Sequence, residues 1–167
     1  LHTNGYSLAR RILFDELELG LDQEVDELGC SVGEELLRPH CSYQAAVRPT
    51  IDTGYVKGIA HITGGGLTDN VPRILPDGCN AVIDARSWPV PPVFEFLRKQ
   101  GDVPVDDMYR TFNMGIGLVI VCSRADLDDV LTKLISSGEV GAGLIGEIRE
   151  GESAVTYADV EFLKPVE

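Results

Sequence analysis

Three short stretches of this 167-residue chain carry residue types that could do chemistry. The first is His61-Ile62-Thr63-Gly64-Gly65-Gly66, which runs on through Leu67 and Thr68 to Asp69 and Asn70. Its apolar lead-in predicts a strand, and a helix can begin just after the glycines. Glycines let backbone N–H groups turn toward one point without side-chain obstruction. A helix start adds unpaired donors and a partial positive charge. The combination suits a phosphate or a developing phosphoryl charge, although the same pattern also makes a plain tight turn. No Lys-Ser or Lys-Thr follows the glycines, so this is not a P-loop, and G-x-G-x-x-G is missing, so it is not a dinucleotide fingerprint. Asp69 would repel an anion unless it caps the helix or meets a metal. His61 has two readings: a core histidine bonded to a neighbouring carbonyl, or a phosphate contact or proton donor at the mouth of the loop.

The second stretch, His2-Thr3-Asn4-Gly5-Tyr6-Ser7, packs polar side chains and a tyrosine around one glycine. It reads either as a helix N-cap with a turn or as part of an active-site loop. In the latter, His2 contacts phosphate or moves a proton, and Asn4 hydrogen-bonds an amide or a sugar. The third stretch runs from Tyr109 and Arg110 through Asn113 to Gly115 and Gly117. Its glycines permit close backbone approach or a bulge, and Asn113 can present an amide to a ligand. Arg110 can pair with a phosphate or with a surface carboxylate.

The elements that would position these residues alternate between helix and strand. A helix is predicted over residues 7–18 from Leu8, Ile12, Leu13 and Leu17, with Asn4 or Ser7 as its cap. A short helix over 32–37 ends before Pro39. Residues 42–52 are ambiguous, because Pro49 interrupts any longer helix. Strands are expected over 56–63, 80–85 and 117–122, the last a continuous apolar run of the kind buried on both faces. Helices are expected over 68–75, with Pro72 in the first turn, and from Pro91-Pro92 to about Lys99. A helical turn is expected over 106–111. The clearest periodicity, Leu127, Val130, Leu131, Leu134 and Ile135, predicts a helix over 124–137. Ser123 and Asp126 resemble a capping box for it, and Gly138 stops it. Strands over 144–149 and 155–162 close the chain. The pattern is an α/β (α+β) sandwich with a mixed β-sheet packed against helices.

The bulk numbers narrow the function. With 44% hydrophobic and 25% charged residues, the chain is expected to form one soluble domain with a real core. No apolar run is long enough to span a membrane. The chain carries 27 acidic against 14 basic residues, a net charge of −13, which argues against a nucleic-acid surface. It also means that phosphate binding would need local donors, a metal ion or another domain. Cys30, Cys41, Cys79 and Cys122 show no C-x-x-C spacing and are expected to be buried free thiols. His40 beside Cys41 has no second metal-binding pair nearby, so no metal ligands are expected in this chain. The start at Leu1, directly before a motif, suggests a piece of a longer protein.

Residues 2–10 (HTNGYSLAR), 59–76 (IAHITGGGLTDNVPRILP) and 108–121 (MYRTFNMGIGLVIV) together resemble the carboxy-terminal domain of the aminoimidazole ribonucleotide synthetase family, in matching order and spacing. The resemblance implies a cytoplasmic enzyme of purine biosynthesis with that family's sandwich fold. It implies ATP-dependent closure of formylglycinamidine ribonucleotide to aminoimidazole ribonucleotide, releasing ADP and phosphate. It further implies an amino-terminal domain, absent from these 167 residues, that supplies acidic Mg2+ ligands, much of the nucleotide site and the homodimer contact. His2, Asn4, His61, Gly64, Gly65, Gly66 and Asn113 carry over as cleft residues, with His2 the candidate for proton transfer or phosphate contact. On this reading the chain folds but does not turn over alone. Two alternatives stand beside it: another member of the same ATP-binding superfamily, and a non-catalytic nucleotide- or partner-binding α/β module.

Overall fold

The computed structural model describes residues 1–158. The chain opens with α1 (Tyr6–Arg10), which widens without a break into a π-helical turn over Arg11–Glu16. There Leu17 N–H reaches back to Ile12 O, five residues earlier. The expected apolar stripe is real, since Ala9, Ile12 and Leu13 are buried. The expected cap is not: Gly5, in the left-handed region at φ 80°, starts the helix with no side-chain cap.

A two-residue pair, β1 (Glu24–Val25) and β2 (Cys30–Ser31), leads into α2 (Val32–Leu36). Ser31 and Glu34 close a capping box on α2. Then α3 (Gln44–Ile51) contains Pro49 in its interior, against the expectation that proline breaks this region. Packing outweighs the lost hydrogen bond. Ala46 lies buried against Val130 and Leu134, and the buried Thr50 hydroxyl donates to Ala46 O at 2.7 Å.

Strand β3 (Val56–His61) pairs antiparallel with β5 (Leu118–Cys122), with His61 opposite Leu118 and a bulge near Gly58. Between them in sequence come α4 (Gly66–Asn70), β4 (Cys79–Asp84), α5 (Pro92–Gln100) and α6 (Val105–Thr111). The helix expected over 68–75 is thus displaced. It starts at Gly66 and stops at Asn70, and Pro72 opens a separate 3-10 turn because it cannot donate into the preceding one. The apolar β5 is half-buried along its length rather than enclosed on both faces.

Ser123 caps the turn that leads into α7 (Leu127–Ser136), accepting from Asp126 N–H at 3.3 Å. The second sheet has the order β6-β4-β7, with β6 (Gly146–Glu150) antiparallel and β7 (Val155–Ala158) parallel to the central β4. The expected mixed α/β architecture is therefore observed. Part of the last expected strand, 159–162, lies outside the described residues.

The main core packs Ile12 and Leu13 of the π-helical turn with Phe94 and Leu97 of α5, Met108 of α6 and Phe112 just after it. A second cluster, including Ile62, Leu67, Val71, Ala81 and Ile83, lies under β3, α4 and β4. Trp88 and Tyr157 touch both clusters and join them. All four cysteines are free thiols, but none is fully buried and Cys41 is exposed. Among the described residues no helix is long and apolar enough to cross a membrane.

Candidate functional site

The three chemistry-bearing stretches interlock. Asn4 Nδ2 donates to Thr111 O at the end of α6 at 2.7 Å. Gly5 lies against the Phe112 ring; a Cβ there would stand 2.3 Å from its Cε1. Gly66 is pressed against the carbonyls of Tyr109 and Phe112, where a Cβ would stand 1.9 Å from Tyr109 O. Ile62 N–H donates to Gly117 O at 2.9 Å. The first residues, the glycine bend and the 109–117 segment therefore meet along one seam.

The glycine bend is open at one end and filled at the other. Gly64 is exposed, with no atom within 4 Å of where its Cβ would be. Among the described residues, neither the Gly64 nor the Gly65 N–H has a protein acceptor. Gly66 N–H, by contrast, is taken by Thr63 O at 3.0 Å. Buried Asn70 fastens the bend from behind, its Nδ2 shared among the carbonyls of Thr63, Gly64 and Gly66 at 3.4, 3.1 and 2.8 Å. The Asp69 side chain lies next to Gly65 and pairs with Arg110 at 3.2 Å, so Arg110 already has a carboxylate partner and neutralises part of the charge an anion would meet.

The 113–117 segment is a tight turn with two successive left-handed residues, Met114 at φ 51° and Gly115 at φ 100°. Asn113 is buried, and its Oδ1 accepts from Gly115 N–H at 3.0 Å. Trp88 Nε1 donates to Met114 O at 2.9 Å and holds the strained residue in place. Asn113 thus shapes the approach to Gly117.

At Gly117 the site is built from rings. A Cβ on Gly117 would lie 1.9 Å from the Tyr43 hydroxyl, 2.5 Å from His2 Cε1 and 2.9 Å from His2 Nδ1, so both side chains occupy the space that glycine leaves. The His2 and His40 rings are 4.1 Å apart, and His40 meets His61 edge-on at 5.4 Å. The Tyr43 ring lies 6.1 Å from His2 and 6.5 Å from His61. His61 is exposed, which overturns its reading as a core histidine; it is the last residue of β3 and points into this cluster. Among the described residues, the buried polar atoms His2 Nδ1 and Asn4 Oδ1 have no hydrogen-bond partner. Burial, then the neighbouring His40, lowers the His2 pKa from 6.5 to about 4, so His2 is uncharged at neutral pH. Burial raises the Tyr43 hydroxyl to about 12, which keeps it a hydrogen-bond donor.

The structure therefore brings His2, Asn4, His61, Gly64, Gly65, Gly66 and Asn113 into one region, with Gly66 and Asn113 acting as packing and turn residues. Sequence reasoning missed His40, Tyr43 and Asn70. The signal for His40 was arithmetic: the chain has only three histidines, and two of them already lay in candidate segments. Among the described residues no three His, Cys, Asp or Glu side chains are arranged to hold a metal ion.

The family model described as AIR synthase related protein, C-terminal domain, matches residues 1–158. Phosphoribosylformylglycinamidine cyclo-ligase of Syntrophotalea carbinolica is 48% identical over 93% of the chain and 45% of the relative. That of Bacillus subtilis is 45% identical over 94% and 45%, respectively. The chain thus spans about half the length of the curated relatives it matches. Among solved structures, the crystal structure of E. coli HypE, a hydrogenase maturation protein, aligns at TM-score 0.60 and 27% identity, covering 95% of this chain and 45% of that one.

Proposed function

The chain belongs to the AIR synthase related family, and from that premise we propose that it is the carboxy-terminal half of a phosphoribosylformylglycinamidine cyclo-ligase. The reaction is ATP-dependent closure of formylglycinamidine ribonucleotide to aminoimidazole ribonucleotide, with ADP and phosphate released. The observation that carries the proposal is the seating of His2 on Gly117, which joins the first segment to the third, while Gly117 O accepts from Ile62 N–H and so joins both to the glycine bend. Identities of 45–48% to named cyclo-ligases favour this substrate over that of the more distant hydrogenase maturation protein.

The chemistry fits the groups present. An amide oxygen leaves poorly until it carries a phosphoryl group; after that, the amidine nitrogen attacks the formyl carbon, phosphate departs and one proton is lost. The free N–H groups of Gly64 and Gly65 can donate to phosphoryl oxygens. An uncharged His2 can accept the proton from the attacking nitrogen. Asn4, with Nδ2 committed to Thr111 O, has Oδ1 left for a substrate N–H. Asn113 sets the turn that fixes Gly117.

Among the described residues no three His, Cys, Asp or Glu side chains converge to hold a magnesium ion. We assign the Mg2+ ligands, the rest of the ATP site and the homodimer contact to an amino-terminal domain, and the whole enzyme to the cytoplasm. The test is an assay of the complete protein for aminoimidazole ribonucleotide formed from formylglycinamidine ribonucleotide and ATP. Product formation that falls at least about 100-fold in kcat on His2→Ala supports the reading. A folded protein that hydrolyses ATP but forms no product overturns it.

A further inference from the structure

The three histidines of the chain come from three separate places in the sequence and meet in one cluster. His2 and His61 belong to the cleft described above. His40 comes from the loop between α2 and α3, together with Tyr43. Its ring lies close to that of His2, with centroids 4.1 Å apart and planes inclined at 37°, and makes an edge contact with His61 at 5.4 Å. His2 also rests on Gly117, with its Cε1 and Nδ1 atoms nearest the glycine. The His2 ring therefore touches both a glycine backbone and an imidazole.

Two imidazolium rings this close repel each other, and the partly buried setting strengthens the repulsion. We propose that His40 is a positioning residue of the cleft: it holds the His2 ring against Gly117 and adds to what disfavours a charge on that ring, so that His2 meets its ligand uncharged. The other charged or titratable groups facing the cluster are His61 beside His2, and Cys41 and Glu139 beside Tyr43. The use made of His2 rests on the cyclo-ligase reading. The coupling of the rings belongs to this chain and is measured without ligand, so the two can fail separately.

The test is an NMR titration of the histidine ring resonances in the parent chain and in His40→Phe, His40→Gln and His61→Phe. Phenylalanine keeps a flat ring on His2 but takes no proton, and His40 is exposed, so the exchange opens no core. The His2 midpoint is expected to rise by about one unit in His40→Phe, and by less in His61→Phe, whose ring is farther from His2. His40→Gln reads the same charge effect should the phenylalanine variant not fold. In the complete enzyme, the acid limb of the kcat profile should move to higher pH by the same amount. A His2 midpoint that stays put in folded His40→Phe or His40→Gln, or that responds more to His61→Phe, overturns the proposal.

Discussion

His2 lies where the side chain of residue 117 would otherwise be: a Cβ on Gly117 would come within 2.5 Å of the His2 ring and 1.9 Å of the Tyr43 hydroxyl. The clash in Gly117→Ala falls on the ends of two movable side chains rather than on backbone. The substitution is therefore expected to cost about 1 kcal/mol or less in stability while expelling both rings from the seam. In the complete enzyme, kcat/KM should fall by at least about tenfold with the melting temperature nearly unchanged. Paired thermal denaturation and steady-state kinetics check this.

Gly66→Ala should behave in the opposite way. Its Cβ would meet the Tyr109 and Phe112 carbonyl oxygens at 1.9 and 2.7 Å, and φ is +57°. Backbone cannot step aside cheaply, so the loss should be about 3 kcal/mol or more, seen in urea denaturation as a lower midpoint or as failure to fold.

Asn70 fastens the glycine bend through three carbonyls. Asn70→Ala should cost about 2 kcal/mol. Asn70→Asp should cost more, because a carboxylate would face those same oxygens with no donor. Chemical denaturation of the two variants side by side gives the order.

Much of the site was legible in the sequence because glycine clusters and polar residues stand out against apolar strands; residues 2–7, 61–66 and 109–117 meet as expected. Their roles were less legible. Asn4 looked like a helix cap, but its amide reaches Thr111, a contact set by the fold and invisible to local spacing. His61 sits in an apolar strand, yet β3 ends just there and leaves it exposed. Pro49 argued against a helix that Ala46 and Thr50 nevertheless bury on their inner face. The π turn after Arg10 has no residue signature, because Leu8, Ile12 and Leu13 satisfy an ordinary helical period. His40 and Tyr43 lie in a stretch without periodicity, so only three dimensions could join them to His2 and His61.

Stability should depend on the protonation of His2. Its pKa is lowered from 6.5 to about 4 on folding, so the unfolded chain binds the proton more readily. This contribution is complete above about pH 6.5, declines as pH falls toward 4, and is flat below that. Because the residue is partly exposed, the slope is shallow. The difference in melting temperature between the parent and His2→Gln should change across that window and be constant on either side of it.

The central claim, that the open end of the glycine bend and the histidine cluster line one anion-binding cleft, is tested most directly by titrating the 15N-labelled protein with inorganic phosphate. The Gly64 and Gly65 amide resonances should shift in a saturable way, together with the ring signals of His2 and His61. Saturable shifts elsewhere, for instance around the surface depression lined by Pro49, Asp129 and Lys133, with Gly64 and Gly65 unmoved, would contradict it.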